Sequence, residues 1–424
     1  MTGRTLAGWL EYIERQHPSA IALGLERVAE ARQALGIELG CPVFTVGGTN
    51  GKGSTSAMVS SILGCAGYKV GLYTSPHLLR YNERVRIGGR EADEAALCDA
   101  FDAVERARGS LTLTYFEYGT LAAAWLFARE RLDAVVFEVG LGGRLDAVNV
   151  FDADCAVLTS VAIDHIDYLG DTREAIGIEK AGIFRAGRPA VVAEPDPPAT
   201  VLEAAQRIGA RLFLIGRDFG YAPQGTQWSY WGPAGKRHGL AHPALRGALQ
   251  LRNASASLAA LDVLRERLPV AMHDVRRGLA EVALPGRFQV LPGRPQIVLD
   301  VAHNPEAAAV LAENLATSGY ARETIAVFGM LRDKDVAGVV RALAKTITRW
   351  HLATLAGPRG TAAEELAPIA REAGAAGSLS LHEDIADALR AAQGEAAEND
   401  KIVVFGSFLT VAAAMAQLGP RAHG

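Results

Sequence analysis

Apolar positions along the chain follow two rhythms, and the change between them marks out the elements. From Leu6 to Leu35 the apolar residues recur at helical spacing, with turns at His17-Pro18 and at Gly36. Short, continuous apolar runs follow: Val43 to Val46, Lys69 to Tyr73, Leu132 to Val139 and Cys155 to Val161. Runs of this length without polar alternation predict strands covered on both faces, as in a parallel sheet wrapped by helices. Between the first two runs, Ser54 to Gly64 reads as a helix. The stretch from about 210 to 250 breaks the rhythm with Trp228, Tyr230, Trp231 and several glycines and prolines. It predicts a small β excursion before a helix from Asn253 to Leu268.

At Pro285-Gly286-Arg287 the pattern halts and then restarts. Strands are predicted at Gln296–Val301, Thr324–Phe328, His351–Leu355 and Lys401–Phe405. Helices are predicted at Pro305–Thr317, Asp335–Ile347, Thr361–Ala373 and Asp384–Ala396, with another after the final strand. Alternation of this kind is the mark of an open α/β domain. The expected division is a larger domain over 1–285 and a smaller one over 286–424, in line with a length of 424 residues.

Composition narrows the class. Nearly half the residues are apolar, a fifth are charged, and the net charge is −4. No basic run exists that would favour nucleic acid or an anionic membrane. The most apolar stretch, Leu121 to Ala128, is far too short to span a bilayer. Four scattered cysteines, Cys41, Cys65, Cys98 and Cys155, show no zinc-like spacing. They read as small buried hydrophobes in a reducing compartment. No secretory leader is evident, so the expected location is the cytoplasm.

The sharpest chemical signal is Gly47-Gly48-Thr49-Asn50-Gly51-Lys52-Gly53-Ser54-Thr55, set between a predicted strand and a predicted helix. Glycines let backbone N–H groups close on phosphate oxygens, and the helix start adds partial positive charge. Lys52 is placed to reach the outer phosphates of a nucleotide. The spacing departs from the usual GxxxxGK[ST], because Gly53 separates the lysine from Ser54. The alternative is a plain glycine turn, which would not need the lysine, the hydroxyls and the following helix.

Other candidates lie at strand ends. Glu138 closes an apolar strand, where a hard oxygen ligand for Mg²⁺ would sit beside a phosphate loop; a solvated strand-end charge is the bland alternative. His165 follows the run Cys155 to Val161 and reads equally as ligand or structural histidine. Lys180 alone reads as a surface lysine. His303, beside Asn304-Pro305, reads equally as cleft residue or helix-start residue.

Taken together these segments resemble the Mur ligase superfamily, and within it the branch that joins glutamate to pterin-containing acids. The matching segments run nearly end to end. They include Leu23 to Arg27, Gly48 to Thr55, Thr74 to Arg84, Tyr115 to Thr120, Glu138 to Asn149, Asp164-His165, Glu179 to Phe184, Leu284 to Phe288, Asp300 to Pro305, Gly329 to Asp335 and Phe405 to Phe408. The implied fold is α/β, with a P-loop Mur-ligase-like ATPase domain on a parallel-rich sheet and a smaller C-terminal Rossmann-like α/β domain. The implied cofactors are ATP and two Mg²⁺ ions.

The resemblance also assigns roles. Thr49, Asn50, Gly51, Lys52, Gly53 and Ser54 would hold the ATP phosphates, Asn253 the adenine, Arg287 the phosphates and Asp300 the ribose, with His303 shaping the same cleft. Ser75, Glu138, His165 and Lys180 would be metal ligands, Lys180 as a carbamate. Gly24, Leu25, Phe116, Leu145, Asp146 and Ala147 fall where the pterin is held. The implied activity is ATP-dependent ligation of L-glutamate to dihydropteroate and to reduced folates through an acyl phosphate, with tail extension alone as the alternative. The implied partners are these small molecules only, in a monomer, with no nucleic acid and no membrane. Two other readings fit less well. Fewer than fifty residues precede Gly48, too few for the N-terminal UDP-sugar domain of a peptidoglycan-precursor ligase. A nucleotide-operated switch protein would leave the second α/β domain unexplained.

Overall fold

The computed structural model describes residues 3–19 and 21–419. The chain divides into two compact units, Met1–Ala244 with Leu251–Val282, and Leu245–Gln250 with Ala283–Gly424.

In the first unit the buried runs form one eight-stranded sheet. Its strands are β1 (Val43–Gly47), β2 (Val70–Tyr73), β3 (Val85–Ile87), β4 (Arg90–Glu91), β5 (Ala134–Glu138), β6 (Cys155–Leu158), β7 (Pro189–Val192) and β8 (Arg211–Leu214). Their spatial order is β4-β3-β2-β5-β1-β6-β7-β8. The six strands from β2 to β8 in that order run parallel, and β3 and β4 close one edge as an antiparallel ribbon. The chain leaves β1 toward β2 on one side and later crosses from β5 to β6 on the other. β1 is therefore the point where the winding changes direction, and a crevice opens at its carboxyl end. The register aligns the neighbours there, pairing Val46 with Glu138 and Gly47 with Leu158.

Helices cover both faces. Lys52–Cys65 follows β1 directly, and Tyr115–Arg129 begins with a capping box in which Thr114 and Glu117 satisfy each other's N–H groups. Trp9, Phe101, Tyr118, Phe127 and Phe137 fill the core with almost no exposure. The early helical segment is two helices, Leu6–Glu14 and Glu26–Leu35, joined by the stretch that carries the His17-Pro18 turn. Residues 211–214 belong to the main sheet rather than to the expected β excursion. The excursion itself is a three-stranded antiparallel sheet: β9 (Gly220–Gln224), β10 (Gln227–Gly232) and β11 (Gly235–Ala241). It is anchored to the helix Gln250–Val263 by Asp262, which accepts from Tyr230 Oη at 2.7 Å and from Arg237 at 2.6 Å.

The second unit holds β12 (Gln289–Leu291), β13 (Gln296–Leu299), β14 (Thr324–Phe328), β15 (Arg349–Ala353), β16 (Ser378–His382) and β17 (Lys401–Phe405), in the order β12-β13-β17-β14-β15-β16. All but β12 are parallel. Its core is built on Phe328, Trp350 and Phe405. β16 is an element that the sequence reading left out. Its Ser-Leu-Ser-Leu-His run alternates as an edge strand does, and it is only half-buried.

All four cysteines are free thiols; Cys155 is buried as expected, but Cys41, Cys65 and Cys98 are only half-buried. Among the described residues no helix is long and apolar enough to cross a membrane.

Candidate active site

The phosphate loop is braced from the end of β6. Thr49 N–H donates to the Ser160 carbonyl at 3.0 Å, and Asn50 N–H donates to Ser160 Oγ at 2.9 Å. Thr159 Oγ1 lies 2.7 Å from the Asn50 carbonyl and 3.1 Å from that of Gly47. Thr49 Oγ1 exchanges hydrogen bonds with Ala162 at 3.1 and 3.0 Å. These bonds occupy the amides of Thr49 and Asn50. The first-turn amides of the helix that begins at Lys52 have no acceptor within their own helix, which suits them to anionic oxygens.

Two glycines are required here by space as well as by φ. A Cβ on Gly48, at φ 145°, would lie 1.9 Å from Thr159 Oγ1. One on Gly51, at φ 88°, would lie 2.6 Å from Asn253 Oδ1, so Asn253 sits directly against the loop. Lys52 Nζ folds back onto the carbonyls of Gly48 and Thr49 at 3.0 and 3.1 Å.

The metal-ligand candidates gather around this loop. Glu138 is buried at the end of β5, and its Oε2 accepts the Ser75 N–H at 3.3 Å. Ser75 precedes a cis peptide bond to Pro76. His165, at φ 54°, starts the short helix Ile166–Leu169, with Nε2 4.0 Å from Asp164 Oδ2. Lys180 lies on the helix Arg173–Ala181 and is 3% exposed. Burial, reinforced by the charge of Lys52, lowers its pKa to about 7, against the opposing pull of Asp164 and Asp146. Among the described residues no acceptor pairs with its Nζ. Nor do they contain three His, Cys, Asp or Glu side chains grouped to hold a metal unaided. That suits Mg²⁺, which keeps few protein ligands and takes the rest from phosphates and water. A buried amine without an acceptor is likewise the group that a carbamate would complete.

The pterin candidates also come together. Gly24 N–H donates to the Leu145 carbonyl at 3.4 Å. Asp146 is buried, and its carboxylate accepts three backbone N–H groups, from Gly140, Leu141 and Val148, at 2.8–3.0 Å. Burial nevertheless pushes its pKa up to about 7. Ala147 follows in the same turn. Phe116 packs over Gly140, where a Cβ would meet its ring at 2.6 Å. Leu25 begins the helix Glu26–Leu35, which is tied to Phe116's helix by the Arg27–Glu117 ion pair at 2.8 Å. The loop that carries Leu145 is laced to the helix of Lys180: Arg144 pairs with Glu179 at 2.8 Å, and Asn149 Nδ2 donates to the Gly182 carbonyl at 3.0 Å.

In the second unit Arg287, Asp300 and His303 form one group. Asp300 accepts the amides of Phe288 and Ala302 at 2.8 Å each, and burial raises its pKa. Arg287 lies over the Phe408 ring at 4.9 Å, with the His303 ring 6.1 Å from the same phenyl. His303 Nδ1 is 2.8 Å from the Val301 carbonyl, so that nitrogen carries the hydrogen.

Sequence reasoning missed Thr159 and Ser160, although two hydroxyls at the mouth of a buried strand were a usable signal. It also gave no role to Arg27 with Glu117, or to Arg84.

A phosphate loop at the turning point of a parallel sheet, with an acidic strand end beside it and a second α/β unit after it, defines an ATP-dependent ligase of the Mur type. Residues 46–261 match the Mur ligase middle domain, and residues 286–408 match the Mur ligase glutamate ligase domain. The chain is 46% identical over 420 residues to the dihydrofolate synthase/folylpolyglutamate synthase of Escherichia coli (strain K12), covering 99% of this chain and 97% of that one. The structure of E. coli FolC in complex with DHPP and ADP superposes with a TM-score of 0.93 at 45% identity, over 98% of both chains. A bifunctional folylpolyglutamate synthase/dihydrofolate synthase with Mn, AMPPNP and L-glutamate bound gives a TM-score of 0.90 at 44% identity, again over 98% of both. The chain belongs to the dihydrofolate synthase/folylpolyglutamate synthase family of Mur ligases.

Proposed function

We propose that this ligase joins L-glutamate to 7,8-dihydropteroate, and also to the glutamate tail of reduced folates. Residues 1–285 would bind ATP and the pterin, and residues 286–424 the incoming glutamate. What supports this most is the phosphate loop at the end of β1, with Glu138 in register on the neighbouring strand and Lys180 buried nearby.

A carboxylate is a poor electrophile, and phosphorylation corrects that. The substrate carboxylate oxygen attacks the γ-phosphorus of ATP, and ADP leaves with the bridging electrons. The glutamate amine then attacks the acyl carbon, loses a proton, and phosphate departs with the C–O electrons. The protein's part is positioning and electrostatics rather than covalent catalysis. Gly48 to Ser54 hold the phosphates. Lys52 turns from its carbonyl partners toward the transferring phosphoryl group and offsets its charge. Leu145, Asp146 and Ala147, with Gly24, Leu25 and Phe116, orient the pterin so that its carboxylate faces the loop. Asn253 would contact the adenine, while Arg287, Asp300 and His303 would complete the nucleotide site.

Two Mg²⁺ ions, held by Ser75, Glu138, His165 and a carbamylated Lys180, would supply charge neutralisation when bound. The amine of Lys180 favours the carbamate because its lowered pKa leaves much of it neutral, and only a neutral amine adds CO₂. Four free thiols fit a cytoplasmic protein, and a monomer suffices for every role above.

The test is ADP release with Mg·ATP and L-glutamate, with and without the pterin acid. Release that needs both the pterin acid and glutamate is expected; release independent of either overturns the assignment.

A further inference from the structure

Arg84 is a buried cation. The residue is 9% exposed. Its Nε donates to His77 Nδ1 at 2.8 Å, which makes that nitrogen an acceptor. Its guanidinium carbon lies 5.5 Å from the ring centroids of both Tyr81 and Tyr115, themselves 6.0 Å apart and edge to face. Among the described residues no carboxylate pairs with it. The adjacent Glu83 is committed elsewhere, accepting the amides of Leu78, Leu79 and Arg80 at 2.7 Å each.

Burying an unpaired charge is costly, and contact with two aromatic rings returns only part of that cost. Arg84 is thus held by an imidazole on one nitrogen and by two adjacent tyrosine rings, while among the described residues its terminal nitrogens meet no carboxylate. Its place indicates which anion would meet them. The Arg84 carbonyl accepts the Thr74 N–H at 2.9 Å, one residue before Ser75, and Tyr115 directly precedes Phe116. The Arg84 backbone therefore adjoins the segment assigned to the metal, and its guanidinium faces the ring of the residue just before Phe116, which is assigned to the pterin.

The two substrates differ in charge at that end. Dihydropteroate carries one carboxylate, the one to be phosphorylated. A folate ends in glutamate and carries two: the γ-carboxylate reacts, and the α-carboxylate is a spectator that must still be desolvated. A guanidinium can take such a group with two parallel N–H···O bonds.

We propose that Arg84 is the counter-ion for the α-carboxylate of the folate's glutamate tail, and so favours tail extension over dihydrofolate synthesis. The inference rests on the substrate reading above. The test compares wild type with Arg84→Gln and Arg84→Lys, measuring ADP release with 7,8-dihydropteroate and with a tetrahydrofolate. For Arg84→Gln, kcat/KM with the tetrahydrofolate falls about 30- to 300-fold relative to that with dihydropteroate, mostly through KM, as expected for truncating one partner of a desolvated charge pair. Arg84→Lys recovers part of the loss. An equal fall with both substrates, or no fall, overturns the inference.

A tetrahydrofolate whose α-carboxylate is replaced by a carboxamide settles the matter on the wild-type enzyme should the variants fail to fold. It is expected to be the poorer substrate by a similar factor, and its use as well as the parent overturns the inference. Wild-type enzyme that turns over neither pterin overturns the substrate reading itself.

Discussion

The backbone N–H of Ser75 donates to Glu138 Oε2 at 3.3 Å, linking the ends of two neighbouring parallel strands beside the phosphate loop. Glu138 is buried and carries the acidic oxygen nearest in register to β1. Glu138→Gln keeps the shape and the hydrogen bond but removes the charge. ADP release should fall by about 100-fold or more at ordinary Mg²⁺, with partial recovery at high Mg²⁺, as for loss of one anionic metal ligand. A Mg²⁺ titration of turnover checks this, and an unchanged Mg²⁺ dependence contradicts it.

Lys52 Nζ folds onto two carbonyls of its own loop, at Gly48 and Thr49, so its loss should leave the sheet and the fold intact. Lys52→Ala is expected to abolish ligation while the circular-dichroism melt stays within a few degrees of wild type. Near-normal turnover in that variant would remove the phosphate loop from the mechanism.

Two glycines make a steric control. Gly48→Ala would place a methyl 1.9 Å from Thr159 Oγ1 at a φ that side chains avoid, so lower stability and lost nucleotide binding are expected. Gly64 is exposed in the last turn of the helix Lys52–Cys65, with nothing within 4 Å of a Cβ placed there. Gly64→Ala should stabilise the protein by about 0.4–1 kcal/mol, chiefly by restricting the unfolded chain. Thermal melts with and without Mg·ATP read both changes.

Lys180 carries a pH dependence whose sign is fixed. In the folded protein its pKa is lowered to about 7 by burial and by Lys52, against 10.5 as the ordinary value. The unfolded chain therefore binds more protons between those values. In CO₂-free buffer the contribution of Lys180 to stability should rise with pH from about 7 to about 10.5, the penalty being complete below and gone above. Lys180→Met should abolish that slope. In ¹³C-bicarbonate near pH 8 a carbamate resonance is expected for wild type and not for Lys180→Ala. Short carboxylic acids should partly restore the alanine variant's activity. A wild-type spectrum without the resonance argues against the carbamate.

The parts of the fold that local pattern determines were readable in the chain. Val43–Gly47, Thr324–Phe328 and Lys401–Phe405 are largely apolar runs, and Gly48 to Ser54 place a loop, a cation and a helix start directly after a strand. β16 escaped because it is a short edge strand half-open to solvent, with only two apolar residues, lying between two strong helices. Thr159, Ser160 and Arg84 escaped for another reason. Their roles depend on partners about 110 residues away in the first two cases, and on the absence of a carboxylate in the third. The lowered pKa of Lys180 was equally hidden, since burial is a property of the packed unit.

The most direct measurement is ADP release with Mg·ATP and L-glutamate, with 7,8-dihydropteroate in one reaction and a tetrahydrofolate in another. Glutamate-dependent turnover with both is expected. Turnover with the folate alone would restrict the enzyme to tail extension. Turnover with neither, in a folded protein that binds ATP, would contradict the assignment of its substrates.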